Sequence, residues 1–140
     1  VPPGQVERLP AIRPGGEGDV TDSHLVWSNP RGGPHVTSPM VHAGKLFVVS
    51  DTGILFCLDA ATGETLSQQR LGGRFSASPL LLEDRLLLVN EEGVCFLIQA
   101  TAECPVLAKF DLEAVVLATP AVLGGRIYFR TESELLCIGE

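Results

Sequence analysis

The chain has 140 residues, 45% of them hydrophobic, which is one domain's worth of sequence with ample material for a buried core. Ten basic against seventeen acidic residues leave a formal charge of −7, which argues against a nucleic-acid backbone or an anionic membrane surface as partner. No apolar run approaches the roughly 20 residues that a membrane helix needs. The chain opens on Val1 with no signal peptide, as expected of a processed product or an excised piece.

Residues 1–20 are rich in Pro and Gly without a period, as in Pro2-Pro3-Gly4 and Pro14-Gly15-Gly16. They read as an extended arm, flexible to about Leu9, with Ile12 free to add an edge strand. Leu25-Val26-Trp27-Ser28 then reads as an isolated short strand. From Ser38 onward the chain repeats itself. Ser38-Pro39, Ser78-Pro79 and Thr119-Pro120 open three copies, 40 and 41 residues apart, each followed by a basic residue leading an apolar run at Lys45, Arg85 and Arg126. A period of this length marks stacked supersecondary units that cannot bury their apolar faces alone.

Within the first copy the apolar runs are Met40 to His42, Lys45 to Val49 and Ile54 to Leu58, and a fourth run covers Glu64 to Leu71. Ala43-Gly44, Asp51-Thr52-Gly53 and Asp59 to Gly63 supply turn chemistry between them. Four short strands joined by tight turns form an antiparallel meander. Four strands per roughly 40 residues predict an all-β chain, a β-propeller with four-stranded blades. The repeats fall at about 38–77, 78–118 and 119–140, with a blade-closing strand at about 25–28, so 21–140 forms a three-blade module. Natural rings have about four to eight blades. The expectation is therefore that two copies complete a six-bladed ring, the alternative being the C-terminal portion of a larger propeller.

The turn Leu58-Asp59-Ala60-Ala61-Thr62-Gly63-Glu64 resembles the blade motif of the PQQ-like (quinoprotein-type) propeller repeat family, Ala-x-Asp-x-x-Thr-Gly-x-x-x-Trp. That family includes bacterial PQQ-like repeat proteins and the propeller lipoproteins of outer-membrane protein assembly. Asp suits the turn as a cap and Gly as the residue of positive φ. The motif's Trp column holds Ser67 and Ala108 in the complete copies, and Ala102-Glu103 stands where Thr-Gly is expected. Trp27 is the one survivor of the tryptophan staple that the resemblance implies between blades.

Few residues carry a chemical signal. The Gly-rich stretch Arg13 to Asp19 lacks a Gly-Lys-Ser/Thr ending and reads as a loop. Asp19, Asp22 and His24 read as turn caps rather than metal ligands. His24, His35 and His42 share no repeat column. Ser38, Ser78 and Thr119 recur, and recurrence argues for a structural hydroxyl that satisfies a loop amide at a Pro-led first strand. Lys45, Arg85 and Arg126 read as solvated edge charges. Arg130 stands where the other copies have Val49 and Val89, which marks an inter-chain contact or a solvent-lined pocket. Cys57, Cys95 and Cys137 fall in apolar runs and read as small buried hydrophobes. Cys104 lies in a turn-like stretch, as a free thiol or paired with a neighbour, and no disulfide is expected; no metal-type spacing occurs.

The repeat-motif positions are thus Trp27, Ser38, Pro39, Asp59, Thr62, Gly63, Ser78, Pro79, Thr119 and Pro120, with Arg130 as a possible interface residue. No catalytic, cofactor-binding or metal-ligating residue is assigned. Quinoprotein dehydrogenases hold pyrroloquinoline quinone and calcium with adjacent cysteines and acidic ligands; this chain has no adjacent cysteines and no evident carboxylate cluster, and three blades are too few to form that pocket. The expectation is a non-enzymatic propeller scaffold that binds protein and self-associates as a homodimer, in a cell envelope or periplasm by resemblance. A fragment of a PQQ-dependent oxidoreductase is the competing reading.

Overall fold

The computed structural model describes residues 8–31 and 33–139. These residues form strands and turns with no helix, in four antiparallel sheets. The first sheet pairs β1 (Leu9–Ile12) with β2 (Leu25–Asn29). The next is a four-stranded meander of β3 (Met40–His42), β4 (Lys45–Val49), β5 (Ile54–Asp59) and β6 (Thr65–Arg70). The third repeats it with β7 (Leu80–Leu82), β8 (Arg85–Val89), β9 (Val94–Gln99) and β10 (Val106–Asp111). The last holds β11 (Ala121–Leu123), β12 (Arg126–Arg130) and β13 (Leu135–Ile138). β3–β6 and β7–β10 are blades 1 and 2, and β11–β13 is called blade 3 below.

Alternation along the middle strands explains why the sheets stack. Phe47, Val49, Leu55 and Cys57 of blade 1 meet Leu86, Leu88, Phe96 and Ile98 of blade 2 in one buried cluster. The intervening residues Leu46, Val48, Phe56 and Leu58 point the other way and take up Leu9 and Trp27 from the first sheet. Leu87, Val89 and Cys95 likewise turn to blade 3, where they pack with Val116 and Phe129. Side chains of period two thus serve two seams at once. That is why the runs Leu86 to Val89 and Leu46 to Val49 are apolar throughout. The outer strand β10 is exposed along its whole length.

Three findings differ from the sequence reading. β2 is not isolated: β1 pairs with it, Ala11 opposite Trp27, because a lone strand would leave both its backbone edges without partners. The arm expected over residues 1–20 lies outside the described residues as far as residue 7. Cys137 is exposed rather than buried, because nothing among the described residues covers that part of β13 as blade 2 covers Cys57. The third difference is a β-bulge that recurs in the same place. Val26, Leu66 and Leu107 are each skipped in the ladder, immediately before Trp27, Ser67 and Ala108. An extra residue there re-aims the one that follows.

Phe47 is fully buried at the seam of blades 1 and 2. Phe47→Ala is expected to lower unfolding free energy by about 3–5 kcal/mol, read by urea titration, through lost burial and a residual cavity.

Candidate functional site: the seams between blades

The recurrent polar residues assemble at the seams rather than in a cleft. Ser38 N–H donates to the Ser78 hydroxyl at 2.9 Å, and Ser78 N–H donates to the Thr119 hydroxyl at the same distance. Each hydroxyl therefore satisfies the equivalent amide one blade back, and Pro39, Pro79 and Pro120 follow each of these residues. The order is set by the one donor that the residue before Pro still offers.

A second column lies on the outer strands. Trp27 Nε1–H donates to the Ala60 carbonyl at 3.0 Å, and Asn29 Nδ2 donates to the Gly63 carbonyl at 2.8 Å. One seam later, Ser67 donates its hydroxyl proton to the Ala102 carbonyl, and Gln69 Nε2 donates to the Cys104 carbonyl at 2.6 Å. Small residues keep the tryptophan's contact in polar form. The turn that receives Trp27 must itself be small: Gly63 has φ +73°, and a Cβ there would overlap the indole. In the next seam the receiving position is Cys104, also left-handed at φ 48°, with Ser67 in place of the indole. A Trp–Gly pair in one seam is thus a Ser–Cys pair in the next.

Asp59 closes the receiving turn. Its Oδ1 accepts N–H bonds from Ala61 and Thr62 at 2.9 Å each and the Thr62 hydroxyl at 3.2 Å. Those bonds, Thr62 N–H first and Ala61 N–H next, hold the exposed carboxyl below its ordinary 3.8. A third polar column has no counterpart in the sequence reading. Ser50, Asn90 and Thr131 cap the turn between second and third strands by accepting from the N–H of Ile54, Val94 and Glu134, at 3.1, 2.9 and 2.9 Å. The signal was a polar residue ending each apolar second-strand run, but its type changes in every copy.

Arg130 is exposed and lines a cavity of about 250 Å³ with Val115, Leu117, Ala118, Thr131 and Glu132; its guanidinium donates to the Thr131 carbonyl. A larger groove of about 600 Å³ runs along the seam of blades 2 and 3 past Leu87, Leu97, Ala108, Phe110 and Ile127. Asp19 caps a turn by accepting Thr21 N–H at 3.0 Å, and His24 Nδ1 meets Ser23 Oγ at 2.8 Å. Arg85 stands 3.7 Å from Asp84 at the rim, and Lys45 reaches the Ala43 carbonyl at 3.4 Å. Among the described residues no three His, Cys, Asp or Glu side chains converge on one point.

Consecutive four-stranded meanders, packed face to face and stapled in columns, define a β-propeller arc of PQQ-like repeats. Residues 18–103 match the PQQ_2 family, described as outer membrane protein assembly factor BamB, and the chain belongs to that family. Its fold is similar to that of BamB from Moraxella catarrhalis, at 17% identity and a TM-score of 0.77 over 96% of this chain. The chain spans 44% of that structure's length. It is also similar to the quinohemoprotein alcohol dehydrogenase ADHIIG from Pseudomonas putida HK5, at 13% identity and a TM-score of 0.54, over 67% of this chain and 16% of that one. No match was found among the curated proteins.

Two outcomes are expected from the first seam. Gly63→Ala is expected to destabilise the fold by about 1–3 kcal/mol from the left-handed backbone, and by more from the indole overlap. In a double-mutant cycle Trp27→Ala should relieve the overlap part, whereas additivity would show that Trp27 and Gly63 do not touch. Because the folded-state pKa of Asp59 is depressed, its stabilising effect is present above the ordinary 3.8 and lost as pH falls through the lower folded value. An acid titration of Asp59→Asn against the parent should therefore show the two stabilities converging at low pH.

Proposed function

We propose that this chain is a non-enzymatic propeller scaffold that binds protein, and that its seams are completed by association with further blades. The observation that carries the reading is the unpaired outer edge of β13 among the described residues. The same sheet leaves Leu123 74% and Leu135 68% exposed. A sheet edge beside an apolar face takes up another strand or another sheet. Arg130, next to that edge and already held by a carbonyl, is the charge we assign to the rim of such a contact.

A second copy is the partner we place there, giving a homodimeric six-bladed ring. The paired β1 imposes a condition on it. β1 lies on β2 as β5 lies on β6, bulge included. If β2 of one copy completes blade 3 of the other, β13 must displace β1 from that edge. Otherwise the joined sheet has five strands. The 44% coverage of BamB favours a second reading, in which this arc sits within a larger ring. The family's description supports a place at the bacterial outer membrane or periplasm, with proteins as cargo or neighbours.

Light scattering over a range of concentrations tests the association. A mass twice the 14.9 kDa of the chain is expected, and a folded monomer at all concentrations overturns the homodimer. Titration with pyrroloquinoline quinone and calcium is expected to leave thermal unfolding unchanged. A saturable rise in midpoint would overturn the non-enzymatic reading in favour of the oxidoreductase.

A further inference from the structure

The seam between blades 1 and 2 brings together two thiols that neither the propeller motif nor the staple columns use. Cys57 lies on β5 and turns toward blade 2, sharing a buried cluster with Cys104, which sits in the turn between β9 and β10. Two contacts pin that turn over Cys57. Its cross-strand partner Ser67 donates to Ala102, and Gln69 on the same strand donates to the Cys104 carbonyl. Cys104 also holds a left-handed backbone, φ 48°, at the place where the preceding seam requires Gly63. A residue with a Cβ in that conformation is held there by its surroundings. Here those surroundings include the other thiol.

We propose that Cys57 and Cys104 are a disulfide-forming pair, a covalent staple that closes the seam whose tryptophan is replaced by Ser67. The thiolate of Cys104 attacks one sulfur of a disulfide oxidant and releases one thiol. Cys57, losing its proton, then attacks the Cys104 sulfur in the mixed disulfide and releases the second. Two cysteine thiols are oxidised to one disulfide, and one oxidant disulfide is reduced to two thiols. The order follows from the environment of each sulfur. Burial, followed by the charge and hydrogen bond of Cys104, pushes Cys57 up to about 12. Burial also raises Cys104, but by less, so Cys104 ionises first. Both sulfurs are buried, so exchange takes place while the two blades dock or when the seam opens.

The staple would bridge two separate repeats rather than strands of one sheet. It removes freedom from the unfolded chain over the whole segment between Cys57 and Cys104, and longer closed loops gain more. Cys95 packs into the opposite seam with blade 3, and exposed Cys137 stands in the same strand column as Cys57, opposite Tyr128 as Cys57 is opposite Phe47.

The test uses the full chain carrying Cys137→Ser, so that the exposed thiol cannot cross-link copies. The protein is refolded with a mixture of reduced and oxidised glutathione, and its free thiols are alkylated before peptide mapping. The expected product has one linkage, Cys57 to Cys104, with Cys95 alkylated. Relative to the reduced form, its folded-to-unfolded ratio should rise on the order of 100-fold. Cys104→Gly, which restores the residue type of the preceding seam, should fold and lose the linkage together with the redox dependence of its midpoint. Alkylation of both Cys57 and Cys104 after refolding, a linkage through Cys95, or an unchanged midpoint in the linked form would each overturn the proposal.

Discussion

Every blade of this chain is a sheet with two apolar faces, and the fold depends on covering both. The alternation of Phe47 and Val49 against Leu46 and Val48 makes this concrete: a single strand feeds two clusters on opposite sides. No blade closes its own core, so the stable unit is the stack. The buried surface at each seam is the dominant favourable contribution, and the polar columns set how neighbouring sheets align.

Those columns solve one problem in several ways. A carbonyl on the receiving turn needs a donor from the sheet before it. Trp27 supplies one with a large apolar body attached, and the turn must then present Gly63. Ser67 supplies one with almost no body, and the space passes to Cys104. The two positions are coupled across the seam, so the Trp and Gly of the family motif depart together. The β-bulge at Val26, Leu66 and Leu107 is what aims this position at the following turn, whatever residue occupies it.

Much of the fold was legible because it is repetitive. The Ser-Pro and Thr-Pro openings, the turn glycines and the apolar runs located β3 to β6 and pointed to the second strands of the two later repeats, β8 and β12. The turn role of Asp59 and Gly63 followed from residue type alone. What stayed hidden depends on contacts between distant residues. β1 was hard to see because Pro10 and its Pro- and Gly-rich surroundings carry weak strand propensity, and pairing with β2 decides its conformation. The role of Ser50, Asn90 and Thr131 was masked because three residue types perform one capping task. Cys137 was misplaced because an apolar run signals burial only where a neighbour covers it. Cys57 and Cys104 are 47 positions apart, and no spacing rule links a strand residue to the next blade's turn.

The hydroxyl chain from Ser38 through Ser78 to Thr119 has a direction. In it, as in the tryptophan column, each donor belongs to the earlier repeat and each acceptor to the later one. Copying one unit of about forty residues in tandem would reproduce a matched joint on either side of the insert. Blade number in such a lineage can therefore grow or shrink by whole-unit duplication or deletion without redesign of the remaining joints.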